Sequence, residues 1–249
     1  MNPTPVTSGV GAVASDALGF TKVADLIRGR SGGRPQRRAA LPGQGDGVEL
    51  PGGRGSPTVG VLALQGGVQE HVRLLQELGA RTVLVRVPAD LEGADGPRVD
   101  ALVLPGGESS TIDRLLRSFG TFEPLRRAIA DGVPTLGTCA GLVLLAREVL
   151  DAAPGQRSLG VLDVAVRRNA FGPQLDSAEV DLATTLGPAR VAFIRAPRVE
   201  AAGPQVEVLA RRGQGIVAVR QGAVTGVAFH PELTGEPLFH RRLLATRRG

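Results

Sequence analysis

From Thr58 onward the sequence alternates short, almost unbroken apolar runs with longer amphipathic stretches. The runs TVGVLAL, RTVLVRV, DALVLPGG and VPTLGTCAG enclose the helical patterns VQEHVRLLQELGA and FEPLRRAIADG. A strand that is apolar at nearly every position must be covered on both faces, and an amphipathic helix between two such strands supplies a cover and a crossover, so the pattern predicts βαβ units around a parallel sheet. GTCAG then runs into LVLLAREVL, read as a further helix. After about Gly160 the texture turns strand-rich, with GVLDVAVRR, ARVAFIRA, QVEVLARR, GIVAVRQG and AVTGVAFH separated by Gly and Pro, and a last helix is predicted over roughly Glu236 to Thr246. No internal repeat is present. The expectation is one α/β domain, a mostly parallel central sheet with an added antiparallel portion, with ligands held beyond the carboxyl ends of the strands.

The alternation sets the domain boundaries at residues 58–246. Residues 1–57 include RGRSGGRPQRRAALPGQGDGVELPGGRGSP, rich in Gly, Pro and Arg and without apolar periodicity. Such a segment cannot offset its ordering entropy by burial and is expected to be a disordered extension, apart from one short amphipathic stretch, ASDALGFTKVADLIRG. Residues 247–249 make a short basic tail.

The net charge of +5 raises the question of nucleic acid, and its placement answers it. Residues 1–57 hold seven Lys/Arg against four Asp/Glu, the segment 241–249 holds four arginines and no acid, and the rest is slightly acidic at 18 against 20. With no Trp or Tyr there is little to stack on bases, so no nucleic-acid partner is expected. No apolar run approaches the roughly 18 to 20 residues needed to cross a bilayer, and the start lacks the pattern of a secretory signal. A single cysteine cannot form an internal disulfide, and the cytoplasm is the expected compartment.

That cysteine, Cys139, stands in the first of three unusual strand ends. GTCAG, a strand running straight into a helix, is the Gly-x-nucleophile-x-Gly elbow, where small flanking residues let a tight turn lift the nucleophile to the helix start. Backbone N–H groups without intrahelical partners favour a negatively charged sulfur there. A buried structural cysteine is the plainer alternative, but glycines on both sides, where a core strand would carry bulk, argue against it.

A thiol nucleophile needs a base, and the chain has three histidines. His71 lies inside the first helix and His240 among basic residues in the last, and both are read as surface residues. His230 ends the strand AVTGVAFH and precedes Pro231, which forces it toward an extended conformation. Glu232, two residues on, then points the same way and can hold the imidazole ring, completing a triad. The third strand end is LVLPGGESS: its glycines allow close approach to a ligand, Ser109 or Ser110 can cap the next helix, and the Gly107 N–H pairs with the Ala140 N–H as oxyanion donors.

Taken together, GVLALQGGVQEH, LPGGESS, GTCAGL, RRNAFGPQ, VAFIRAP and FHPEL resemble the glutaminase subunits of two-subunit pyridoxal 5'-phosphate synthases, a family of class I, triad-type glutamine amidotransferases. The resemblance covers about Thr58 to Leu244. It implies a flavodoxin-like fold, with Cys139, His230 and Glu232 as the triad. It also implies a glutamine-binding set of Gly107, Glu108 and Ser109 on one loop, Arg168, and Ile194 with Arg195. A guanidinium suits the α-carboxylate of free glutamine. The implied partners are L-glutamine and a synthase subunit that receives the ammonia, with Gln65, at the end of the first strand, helping to fix the Gly107 loop across that interface. Pyridoxal 5'-phosphate is then the product of the complex and not a cofactor, and no metal is expected. Pro173, Ala178 and Gly67 stand where the family usually has a basic residue, an aromatic and an alanine. Two other readings accompany this one: a glutaminase subunit of another synthase, such as imidazole glycerol phosphate synthase, and a catalytically silent regulatory subunit.

Overall fold

A computed structural model describes residues 55–93, 96–170 and 177–246. The expected extension, apart from residues 55–57, and the basic tail lie outside these residues, as does Pro173.

Five strands form the parallel half of the main sheet: β1 (Thr58–Leu62), β2 (Arg81–Val85), β5 (Ala101–Leu104), β6 (Thr135–Thr138) and β14 (Val224–Val227). They lie in the order β2-β1-β5-β6-β14, all parallel. Counted among themselves in chain order this is 2-1-3-4-5, the flavodoxin-like arrangement. The near-continuous apolar runs are explained by burial on both faces: all four residues of β5 and all four of β6 are buried. The helices α1 (Val68–Glu77), α2 (Ser109–Ser118) and α3 (Phe122–Ala130) provide the crossovers, burying Leu74 and Leu75, Ile112 and Leu116, and Leu125 and Ile129. Each such side chain, fully buried, contributes roughly 1.5–3 kcal/mol. Two two-residue strands, β3 (Glu92–Gly93) and β4 (Gly96–Pro97), pair with each other outside this sheet.

Beyond β14 the sheet turns antiparallel through β13 (Gly215–Gln221), β12 (Glu207–Arg212), β9 (Ser177–Thr184) and β10 (Gly187–Ile194). A branch, β11 (Arg198–Ala202), joins β13 to β8 (Leu162–Arg167), which pairs with β7 (Ala146–Val149). No helix among the described residues is long and apolar enough to cross a membrane.

Two local expectations need correction. LVLLAREVL is not one helix: α4 covers only Ala140–Leu145, and Ala146–Val149 is strand β7. The incoming chain takes the carbonyls that would have continued the helix, Leu159 N–H donating to Leu144 O and Val161 N–H to Leu145 O, while β7 pairs in parallel with β8. The strand β9 was also not read from SAEVDLAT, although its burial alternates from Glu179 to Ala183, with Leu182 inward and Asp181 and Ala183 outward.

The last helix, α6 (Leu238–Ala245), falls within the predicted span and follows a short helix, α5 (Pro231–Thr234). Phe229 is fully buried, with Phe193 and Phe239 packed edge-on at ring centroid distances of 5.4 and 5.3 Å. Each such pair adds about 0.5–1.5 kcal/mol beyond its area and, here, anchors the residue immediately before His230.

Candidate active site

The carboxyl ends of β1, β5, β6 and β14 meet at one place, and each delivers one of the residues singled out from the sequence. At the end of β6 the chain turns sharply into α4, and Cys139 holds φ 49° and ψ −103°. A non-glycine residue in this region costs on the order of 1–3 kcal/mol and persists only when its surroundings enforce it. They do: Cys139 N–H donates to Val227 O at 2.8 Å, and a side chain on Gly141 would collide with the backbone oxygen of Leu104. The glycine at 141 is therefore what lets α4 press against β5 and hold the elbow shut. Cys139 is 9% exposed, with its Sγ 4.0 Å from the Ile194 carbonyl oxygen.

His230 lies in an extended conformation (φ −116°, ψ 90°), as its place before Pro231 requires. Its backbone is clamped to β10, His230 N–H donating to Ala192 O at 2.7 Å. Its Nδ1 lies 2.7 Å from Glu232 Oε1. The contact expected from the sequence forms by a different route: Glu232 sits in the first turn of α5 and not in an extended segment. Both groups are buried, and Cys139 lies close enough to the His230 ring to favour its charged form. A side chain on Gly106 would strike the His230 ring and approach Cys139 Cβ within 3.3 Å, so the first loop glycine is pressed against both. Burial works against a charged His230, but the Glu232 carboxylate and Cys139 outweigh it and raise its pKa well above the ordinary histidine value. Burial likewise opposes ionisation of Glu232, yet His71 and His230 hold its carboxyl at about 2. The arrangement brings together a sulfur, an imidazole and a carboxylate fixed on that imidazole, the set that nucleophilic catalysis by a thiol requires.

The loop after β5 is held from the β1 side. Gln65 Oε1 accepts the Glu108 N–H at 2.7 Å, Gly106 O accepts the Gly67 N–H at 3.1 Å, and a side chain on Gly107 would lie 2.5 Å from Gln65 Oε1. Ala140 is the first residue of α4, so its N–H has no acceptor within the helix. The cap of α2 is neither serine: Glu108 is the cap residue, its Oε2 accepting from Thr111 N–H at 2.8 Å and from the Ser110 hydroxyl. Its longer side chain reaches both groups and leaves Oε1 to Arg168, whose Nη2 donates at 2.9 Å. Arg168 Nη1 donates to Gln156 Oε1 at 2.9 Å, and Gln156 Nε2 donates to Ser109 Oγ at 3.0 Å. Gln156 was not singled out from the sequence; nothing in PGQRS marks it, since only the fold brings that loop to Ser109. Ile194 borders Cys139, while Arg195 is exposed with φ 42°.

The reading of the other two histidines was wrong. His71 and His240 are both fully buried and bonded to each other, Nδ1 of His71 lying 2.9 Å from Nε2 of His240. The signal was present: His71 precedes Leu74 and Leu75, and His240 precedes Leu243, at the three- and four-residue spacings of a buried helix face. His71 Nε2 lies 3.2 Å from Thr138 Oγ1 and 3.5 Å from Glu232 Oε1, directly behind the triad. Among the described residues no group of His, Cys, Asp and Glu side chains is arranged to hold a metal ion.

Comparison with known proteins agrees with this geometry. The chain is 58% identical over 192 residues to the pyridoxal 5'-phosphate synthase subunit PdxT of Clavibacter michiganensis, covering 76% of this chain and 90% of that protein. It is 55% identical over 197 residues to the protein of the same name from Acidothermus cellulolyticus, covering 76% and 93%. A crystal structure of a glutamine amidotransferase superposes with a TM-score of 0.69 at 46% identity, over 75% of this chain and 98% of that one. Residues 61–244 match the model of the SNO glutamine amidotransferase family, and the chain belongs to that family.

Proposed function

We propose that the protein is the glutaminase subunit of a pyridoxal 5'-phosphate synthase, hydrolysing L-glutamine to glutamate and passing the ammonia to a synthase subunit. The observation that carries this reading is the strained Cys139 beside Gly106 together with a His230, packed against the same glycine, whose Nδ1 lies 2.7 Å from Glu232, in a chain whose relatives bear that synthase's name. Glutamine binds with its side-chain amide over Cys139. The sulfur attacks the amide carbon, the oxyanion rests on the Gly107 and Ala140 N–H groups, and His230 gives a proton to the departing ammonia. A γ-glutamyl thioester remains. Water that loses its proton to His230 then releases glutamate and restores the thiol. Glu232 orients His230 and stabilises its imidazolium.

At the other end of the substrate, Arg168 and Glu108 present one charge of each sign, 2.9 Å apart, beside Ser109 and Gln156. This complements the α-carboxylate and α-ammonium of glutamine, and Ile194, whose carbonyl lies 4.0 Å from Cys139 Sγ, and Arg195 next to it complete the binding set. A free thiol is kept reduced most readily in the cytoplasm, which supports that location. Neither nucleic acid nor a metal has a part in this chemistry.

The test is glutamine hydrolysis by the full chain with and without the synthase subunit, followed by transfer of amide nitrogen into pyridoxal 5'-phosphate. Hydrolysis without nitrogen transfer to that product would point to another synthase. No hydrolysis in either condition would leave a silent subunit.

A further inference from the structure

The chain's three histidines and the triad carboxylate form a single buried line: His230, Glu232, His71, His240. The mechanism above uses only the first two. We infer that His71, backed by His240, is a positioning residue that donates its Nε2–H to Glu232 and so fixes the carboxylate on which His230 turns. The inference rests on the reading of Cys139, His230 and Glu232 as the triad.

The direction of the hydrogen bonds follows from counting donors and acceptors. An ionised Glu232 can only accept. Its Oε1 faces His230 Nδ1 at 2.7 Å and His71 Nε2 at 3.5 Å, and His71 Nε2 also faces Thr138 Oγ1 at 3.2 Å. If Nε2 carries the proton, it is shared between the hydroxyl and the carboxylate, and His71 Nδ1 is left to accept the His240 Nε2–H at 2.9 Å. Of the four ring nitrogens of His71 and His240, His240 Nδ1 alone then lacks a partner among the described residues, as a bare ring nitrogen. In the opposite tautomer a lone pair of His71 would face the carboxylate oxygen, and His240 would bury an N–H without an acceptor. Both cost more, because a desolvated donor and a lone pair against an anion are worse than one unused acceptor. Burial lowers the pKa of both outer rings, that of His240 to about 3, so each carries one proton and the polarity of the line is fixed.

The line has a mechanical consequence as well. Thr138 immediately precedes Cys139, so His71 joins the strand that carries the nucleophile to the carboxylate that orients the base. Glu232 Oε2 has no hydrogen-bond partner among the described residues, which leaves Oε1 and its two ring neighbours to set the carboxylate's rotation.

The experiment combines a variant-free measurement with three substitutions, all in the full chain with saturating synthase subunit for kinetics. In wild-type protein labelled with nitrogen-15, long-range proton–nitrogen correlation at pH 7 should show His71 and His240 both as neutral Nε2–H tautomers. His71 found as the Nδ1–H tautomer, or charged, overturns the inference, and this holds even where a variant fails to fold. His71→Leu should lower kcat by about tenfold or more with KM within about twofold, as expected when a partner that orients a reacting group is lost. His71→Gln, whose Nε2 can donate from a similar position, should recover kcat to within about threefold of wild type. An unchanged kcat in His71→Leu, or equal losses in the two variants, overturns the inference. Cys139→Ala run alongside separates it from the triad reading: activity surviving there overturns both, whereas an inactive Cys139→Ala beside an unaffected His71→Leu overturns the role of His71 alone.

Discussion

The side chain of Gln65 accepts the backbone N–H of Glu108 at 2.7 Å, tying the end of β1 to the loop after β5. The tied loop is the one that carries Gly107. A glycine pair can exchange peptide orientations at little steric cost, so the direction of the Gly107 N–H depends on what holds the loop on either side. We predict that the isolated protein is a poor glutaminase and that the synthase subunit raises turnover by turning this N–H toward the oxyanion. One oxyanion donor is worth roughly 2.7–4 kcal/mol, on the order of a hundred- to a thousandfold. Titrating the synthase into a glutaminase assay should activate wild type strongly, and Gln65→Ala and Gly107→Ala much less. Equal activation of all three would reject the mechanism.

Cys139 combines chemistry with strain, and the two can be separated by substitution. Cys139→Ala should abolish glutamine hydrolysis, with less than about 1% remaining, since loss of a covalent nucleophile costs several orders of magnitude. Cys139→Gly should be equally inactive but more stable, because glycine adopts φ 49° without penalty. A gain of about 1 kcal/mol corresponds to a rise in Tm of roughly 2–4 °C for a domain of this size. A Tm for Cys139→Gly below that of Cys139→Ala would show that the elbow is not strained.

Glu232→Gln keeps the shape of the carboxylate and removes its charge. With Glu232 no longer able to stabilise the imidazolium, kcat should fall much more than KM changes, as for an interaction that matters mainly in the transition state. An unchanged kcat would reduce the triad to a Cys139–His230 dyad.

The parallel half of the sheet was legible because burial on both faces writes itself into the sequence as unbroken Val and Leu runs. The elbow was legible because Gly141 has no room for a side chain against the Leu104 carbonyl, and the extended His230 beside Glu232 because Pro231 constrains it. Less local features were not. The end of α4 at Leu145 depends on Leu159 and Val161 capturing its last carbonyls, which no local pattern encodes. The Glu108–Arg168–Gln156 network joins three loops brought together only by the sheet. His71 and His240 were misjudged because their charge class was weighed above their position: the leucines three and four residues on place both on buried faces, where a neutral imidazole paired with another imidazole is at home.

Those buried rings make acid stability a direct probe of the site. The pKa values of His71 and His240 are lowered, first by burial, so between pH 6.5 and the folded value, about 3 for His240, the unfolded chain binds protons that the native state does not. Stability therefore falls as pH drops through this window, by on the order of 1 kcal/mol per pH unit for His240, with His71 acting in the same direction. Glu232, held at about 2, adds stability that is present above its ordinary value of 4.5 and is lost as pH falls below it. His230 acts in the other sense: its raised pKa stabilises the fold fully below pH 6.5, and that contribution is lost as pH rises through the folded value. Stability should consequently peak near pH 6.5 and decline on both sides. His240→Gln, which keeps a donor toward His71 but cannot be protonated, should flatten the acid side alone. Between pH 6.5 and 5 its stability should fall by on the order of 2 kcal/mol less than wild type. Urea unfolding of both proteins at pH 7, 6 and 5 measures this directly. Parallel acid slopes for the two would show that His240 is not buried as a neutral ring.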